Sequence, residues 1–334
     1  MSEAAPDARW RFPQPYDARG AAMALLAVIV LVVTGARVDM DRMLAETGKA
    51  LIAAAGAPVD SQVARGLSSV GRQFLPLQIS ERTEVGRIEG FDPERLPPFS
   101  RIETAETDIQ VMDPATLRPR TVHERKTYLV QPVGYLVHVA LKLVETLEIA
   151  LWGAVLAVIV GLPLGLAGAR NLTPHPLARA AARGLVSLLR AVPELISALL
   201  LVLAYGFGPI AGVLALGLHA AGFLGKFFAE EIENADPKPQ EALQAIGANR
   251  LKVFRYAILP QVAPQYVAYV LYILDRNVRM ATVIGLVGAG GIGQELKGRY
   301  DMYDYGHVGT ILVAVFLLVI ALDVASARLR RRWL

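Results

Sequence analysis

Residues 149–169 read IALWGAVLAVIVGLPLGLAGA, with Glu148 before them and Arg170 after. No charge interrupts these 21 residues. A helix that crosses a bilayer needs about 20 predominantly apolar residues, within a range of roughly 17–25. The stretch therefore predicts a spanning helix, whose start extends back towards Val139. Five more segments read the same way: Gly20–Ala36, about Gly184–Phe207, Ile210–Phe228, Val262–Leu286 and Gly306–Leu322. The run Gly206-Phe207-Gly208-Pro209 punctuates the third and fourth of the six with a tight turn. The sequence predicts an all-α polytopic membrane protein with six transmembrane helices.

Composition agrees. Of 334 residues, 54% are hydrophobic and 19% charged, against about 45–50% and 25% in soluble domains. The net charge of +4 is too small, and its cations lie too close to helix ends, to argue for nucleic acid. Cysteine is absent, which excludes disulfides and cysteine-based zinc or iron–sulfur sites. The histidines His123, His138, His175, His219 and His307 show no metal-ligand spacing, so no metal site is expected. No catalytic set and no G-x-x-x-x-G-K-[ST] loop occurs, so the chain does not itself hold ATP in a P-loop.

Gly20–Ala36 has a rival reading as a signal peptide, with Arg9, Arg11 and Arg19 as its basic start and Thr34-Gly35-Ala36 imitating a cleavage site. The apolar run exceeds a typical signal core and its lead-in is long, which favours an uncleaved helix. Three parts follow: 1–38, an N-terminus with the first span; 39–135, a charged, proline-rich region; and 136–334, a five-helix core containing a loop at 229–261. In the middle part, Met40–Ala55 spaces its apolar residues helically and suits a membrane surface as well as a solvated packing role. Residues 78–130 suggest a small extramembrane subdomain with strands.

Basic residues set the expected topology. Arg9, Arg11 and Arg19, then Arg170, Arg179 and Arg183, then Lys238, Arg250, Lys252 and Arg255, and finally Arg328 and Arg330–Arg332 alternate with loops poor in cations. Long loops are exempt from the rule, which removes the 13 Lys and Arg of residues 37–135 from the count. Both termini and the 229–261 loop are expected in the cytoplasm, and the insertion between the first two spans outside it.

Charges inside the apolar segments are the candidate path. Arg190 and Glu194 are four apart, as are Asp275 and Arg279, a spacing that shares one helix face. Arg276 and Asn277 lie beside the second pair. Ionisable groups at membrane depth are expensive and usually face a bundle interior or a water-filled route. Two readings stand: a polar route in which Arg276 or Arg279 lowers the barrier for an anion, or self-neutralising structural pairs. The glycine run Gly288-Ala289-Gly290-Gly291-Ile292-Gly293 satisfies G-x-G-x-x-G, but it follows a membrane helix instead of a strand. It reads as a bend permitting close backbone approach, not a dinucleotide site. Gly161/Gly165 and Gly208/Gly212 offer small-residue helix contacts.

The loop Glu241-Ala242-Leu243-Gln244-Ala245-Ile246-Gly247, followed after nine residues by Ala257-Ile258-Leu259-Pro260, resembles the EAA loop of permease subunits in ATP-binding-cassette importers. Leu243 and Ala257 depart from the usual Ala and Ile. A helix start near Pro239, a stop at Gly247, and Leu243, Ile246, Leu251 and Phe254 as an apolar surface fit a docking role. Arg190-Ala191-Val192-Pro193-Glu194-Leu195, Ala257–Gln265 and Asn277–Leu296 are similar to phosphonate permeases, and the likeness runs over about residues 132–330.

The resemblance implies a type I importer permease in a bacterial inner membrane. It implies three partners besides lipid: a cytoplasmic ATPase dimer, an extracytoplasmic phosphonate-binding protein, and a second permease subunit, identical or paralogous. ATP and magnesium would be held by the ATPase, and no cofactor by this chain. Glu241, Ala242, Leu243, Ile246 and Gly247 would couple to the ATPase. Phosphonate, phosphite and hypophosphite are the implied cargoes. A methionine-type importer is the alternative, since the glycine-rich stretch recurs there. An ATPase-independent secondary transporter is the third possibility, although no internal repeat is visible.

Overall fold

A computed structural model describes residues 18–112 and 119–333. Arg9 and Arg11 lie outside the described residues, as do the side chains of Arg19, His123 and Arg330–Arg332. The chain divides into two compact units, Met1–Gln73 and Phe74–Leu334.

In the first unit, α1 (Ala18–Arg37) is the expected first span, uninterrupted by charge from Gly20 to Ala36. After Val38 and Asp39, α2 (Met40–Ala54) begins, and α3 (Gln62–Phe74) follows. Neither has a buried residue. Glu46 joins the two: its carboxylate accepts from Lys49 Nζ at 2.8 Å and from the Gln62 N–H at 3.1 Å. Those bonds hold its carboxyl below the usual carboxylate range.

The second unit opens with the strands suggested for residues 78–130. β1 (Glu81–Glu84), β2 (Arg101–Met112) and β3 (Pro119–Gln131) form an antiparallel sheet in the order β1-β3-β2. β2 and β3 pair along their whole lengths, Arg101 opposite Val130 and Met112 opposite Pro119. The molecule is thus predominantly helical, with its sheet confined to the insertion.

Helix α4 (Gly134–Gly168) reaches farther back than Val139. Its 35 residues make a rod of about 52 Å, longer than the ~30 Å hydrocarbon layer. The surplus carries Lys142 and Glu145, paired at 2.6 Å.

The third apolar segment is not one helix. α5 (Pro176–Ala191) and α6 (Glu194–Tyr205) meet at 88°. Pro193 is the cause. It has no N–H, and its ring disfavours the helical region for the residue before it; Val192 is extended, with φ −84° and ψ 120°. The expectation that Arg190 and Glu194 share a helix face is therefore wrong, because the bend falls between them.

α7 (Pro209–Asn234) is followed by α8 (Pro237–Ala245) and the short α9 (Arg250–Val253). One wide turn at Phe254–Ile258 leads into α10 (Leu259–Gly285). α11 (Gly291–Asp301) and α12 (Tyr305–Trp333) complete the chain. Among the described residues, five helices are long and apolar enough to cross a membrane, and six crossings result if the bent pair counts as one.

α4 and α7 form the most extensive helix pair and run parallel. Glycine makes this possible. A Cβ on Gly161 would lie 3.0 Å from the Ala221 carbonyl, and one on Gly165 only 2.7 Å from Phe228 Cβ. The expected small-residue role of Gly161 and Gly165 holds. Around this seam Leu224, Phe228, Ile232, Tyr266 and Ile273 form the main core.

The glycine run between α10 and α11 is a compact bend, with Gly288, Gly290 and Gly291 at φ 93°, 87° and 70°. Gly208 N–H donates to the Gly288 carbonyl at 3.0 Å. Gly291 and Ile292 N–H groups, at the start of α11, donate to Glu145 Oε1 and Thr146 Oγ1 at 2.9 and 2.8 Å. The element leading directly into the run is the helix α10 and not a strand, so the dinucleotide reading falls and close backbone approach stands.

The sheet and α8 lie at opposite ends of the bundle. The sheet end is fastened where α12 begins: Thr310 Oγ1 donates to the Gln78 carbonyl at 2.6 Å, and His307 Nε2 lies 3.0 Å from that of Ser80. Arg299 on α11 bonds Glu295 at 2.8 Å and Asp304 at 3.2 Å. Burial pushes the Glu295 carboxyl up, but Arg299 and His138 together outweigh it and hold it below the usual range.

Candidate translocation path and coupling helix

The loop after α7 forms a helix because its ends are specified. Asp236 caps α8 by accepting from Lys238 N–H at 3.0 Å, and Pro237 takes the first helical position, where its missing N–H costs nothing. The helix starts two residues before Pro239, the expected start. It stops where expected: Gly247 adopts φ 80°, a left-handed conformation that glycine enters without Cβ strain.

Glu241, Ala242, Ile246 and Gly247 are exposed, and Leu243 is half-buried. Ile246 and Leu251 are 79% and 73% exposed, leaving an apolar surface beside Glu241. Phe254 is the exception within the expected surface, because it packs against the main core.

A second cluster forms around the α5–α6 bend. Glu194 is the first residue of α6, and its Oε1 accepts from Arg276 Nη2 of α10. The same oxygen lies 3.2 Å from His219 Nε2 of α7. His219 Nδ1 is 2.9 Å from the Val192 carbonyl, which the bend has released from helical bonding. With Nδ1 donating there, Nε2 needs a second proton to bond a carboxylate. Phe223, one turn along α7, carries guanidinium groups from two helices: Arg276 Cζ is 5.0 Å from its ring centroid and Arg190 Cζ 5.7 Å. Four helices, α5, α6, α7 and α10, thus bring two arginines, one histidine and one carboxylate together. Cation–π contact offsets part of the cost of the second guanidinium.

The other candidates lie elsewhere. Asn277 is buried against α4, its Nδ2 3.5 Å from the Ala150 carbonyl. Asp275 and Arg279 do pair, at 2.6 Å, and Arg279 also reaches Asp323 of α12 at 3.2 Å. That arginine is offset by two carboxylates. Sequence reasoning missed His219, Phe223 and Asp323. A lone histidine in the uncharged run between Pro209 and Lys226 was the available signal for the first.

Residues 161–334 match the family model described as binding-protein-dependent transport system inner membrane component. The chain belongs to that family of membrane transport permeases, and its fold is that of the ATP-binding-cassette importer permease. Among its relatives is HtxE of Stutzerimonas stutzeri, named as a phosphite transport system permease protein; it is 57% identical over 257 residues, which cover 77% of this chain and 98% of HtxE. The phosphite transport system permease protein PtxC of the same organism is 45% identical, over 57% of this chain and 70% of its own length.

Solved structures agree in fold. The chain matches the MetNI methionine ABC transporter at 23% identity and a TM-score of 0.51, over 59% of this chain and 96% of that one. An amino acid ABC transporter described with histidines matches at 19% and 0.52, over 60% and 96%. At these identities the likeness is one of fold alone.

Proposed function

We propose that this permease subunit carries phosphite or a related phosphonate inward, in an assembly with a separate ATPase dimer and an extracytoplasmic binding protein. The observation that carries the cargo reading is the 57% identity to a permease named for phosphite transport, over 98% of that relative. The path runs past the Glu194–Arg276–His219 cluster. Arg276 is its anion-attracting group, and Glu194 is the resident carboxylate that an incoming oxyanion displaces. Asp275 and Arg279 tether α10 to α12 and are not in the path.

The ATPase docks on α8 through Glu241, Ala242, Leu243, Ile246 and Gly247. This puts α8, both termini and the 229–261 loop on the cytoplasmic side, and the sheet on the outer side, where the binding protein and the insertion meet. A second permease subunit completes the path. ATP and magnesium belong to the ATPase.

Uptake by proteoliposomes containing the full assembly tests the reading. Phosphite and methylphosphonate, each delivered by its loaded binding protein, are expected to enter with ATP hydrolysis, and methionine is not. Uptake of methionine with exclusion of both phosphorus compounds defeats it.

A further inference from the structure

Between the C-terminal half of α4, α5 and α7 lies an open cavity of about 300 Å³, at the α8 end of the bundle. That volume holds a tetrahedral oxyanion with several waters, each taking about 30 Å³. Four cations line it, Arg170, Arg183, Arg190 and Lys226, against two carboxylates, Glu230 and Glu233.

Pairing within the cavity is uneven. Glu233 is taken by Arg183 at 2.5 Å and by the Arg170 N–H at 2.7 Å. Glu230 lies 3.5 Å from Lys226. Among the described residues, no carboxylate lies within ion-pair distance of Arg190, and its Nε is buried without a hydrogen-bond partner. Packing holds this side chain in place. Gly222 makes the room, since a Cβ there would come within 2.7 Å of Arg190 Cγ. A guanidinium presents five donors in a rigid fork that suits phosphate geometry; Arg190 is half-buried, and its buried Nε lacks the acceptor that a desolvated donor needs. The cavity is the space in which an acceptor fits.

We propose that this cavity is a second anion site, taking a tetrahedral phosphorus oxyanion group on Arg190, with Lys226 and Ser187 at its rim. The group comes from one of two sources: free substrate on its way inward, or the phosphate of a lipid headgroup entering between α5 and α7. For the first source the inference rests on the proposed import of phosphite; the second does not need it. Phe223 supplies the connection. Its ring lies 5.0 Å from Arg276 and 5.7 Å from Arg190, so an anion passes from the Glu194 cluster to the cavity across one aromatic side chain.

The test uses the full chain with its ATPase, in nanodiscs of phosphatidylcholine alone or with phosphatidylglycerol. Sodium phosphite is titrated calorimetrically at constant ionic strength. The wild type is expected to bind saturably in phosphatidylcholine, and Arg190→Gln at least tenfold more weakly. Ser187→Asp, at an exposed position that leaves the packing untouched, sets a fixed negative charge at the rim and is expected to weaken binding equally. A lipid occupant shows itself differently: phosphatidylglycerol suppresses phosphite binding, and native mass spectrometry finds that lipid on the wild type but not on Arg190→Gln.

Phosphite binding and lipid retention that are the same in the wild type and both variants overturn the proposal. If that happens while phosphite uptake is intact, the cavity fails and the import reading survives. If Arg190-dependent binding occurs without uptake of any phosphorus oxyanion, the import reading fails and the cavity survives.

Discussion

Arg276 and Glu194 are 82 positions apart, yet their ion pair ties α10 to the first turn of α6. The Glu194 and Arg276 side chains are only 12% and 24% exposed. Removing one partner of a buried pair leaves an uncompensated charge and typically costs about 3–5 kcal/mol. Glu194→Ala is expected to lower stability by about that much, and Glu194→Ala with Arg276→Met by less than the two single changes combined. Thermal unfolding of the four proteins in one detergent gives the cycle; strict additivity would show that the pair is not coupled.

Two glycines on neighbouring helices are expected to answer alanine in opposite directions. At Gly165 a methyl group meets Phe228 Cβ at 2.7 Å, and overpacking of this kind costs about 1–3 kcal/mol. At Gly184 on α5 nothing lies within 4 Å of the new atom, so only the helical preference for alanine remains, a gain of about 0.5–1 kcal/mol. Melting temperatures of Gly165→Ala and Gly184→Ala are the readout, and equal shifts would contradict the packing argument.

The exposed surface beside α8 separates docking from folding. Ile246→Asp and Leu251→Asp alter side chains that are 79% and 73% exposed, and surface changes of this kind are usually within about 0.5 kcal/mol. Both variants should melt like the wild type but lose the ATPase on co-purification. An ATPase retained in full would mean that the partner docks elsewhere.

Acid should loosen the sheet end before the α4–α7 core. The Glu295 carboxyl in the fold titrates below its ordinary value of 4.5, because Arg299 and His138 together outweigh the upward push of burial. A depressed folded value means that the ionised form stabilises the fold. Its contribution is complete above pH 4.5 and is lost as pH falls through the lower folded value. Hydrogen exchange at α11 is expected to rise across that window in the wild type. In Glu295→Gln the pH dependence should be flattened; an unchanged profile in that variant would place the titration elsewhere.

The five long apolar helices were legible because hydropathy over about 20 residues is a strong signal. The loop helix was legible from Gly247 and the spacing to Pro260, and Asp236 explains why it begins earlier than Pro239. The bend was missed although Pro193 was in plain sight: hydropathy reads composition along the chain and is blind to backbone geometry. That omission hid the rest of the cluster. Once α5 and α6 are a right-angled pair, Val192 exposes a carbonyl to His219 and Glu194 turns towards Arg276. Neither contact has a local spacing by which a sequence could announce it. Asn277 stands next to Arg276 in sequence, yet the helix turns it towards the Ala150 carbonyl, a direction that sequence spacing does not announce.

Glycine-to-backbone contact along α4 and α7 has a mechanical consequence. Where Gly161 faces the Ala221 carbonyl and Gly165 faces Phe228 Cβ, the two backbones approach closely and little space remains for sliding. Close-packed interiors transmit strain instead of absorbing it. The two helices are therefore expected to move as one body instead of sliding past each other.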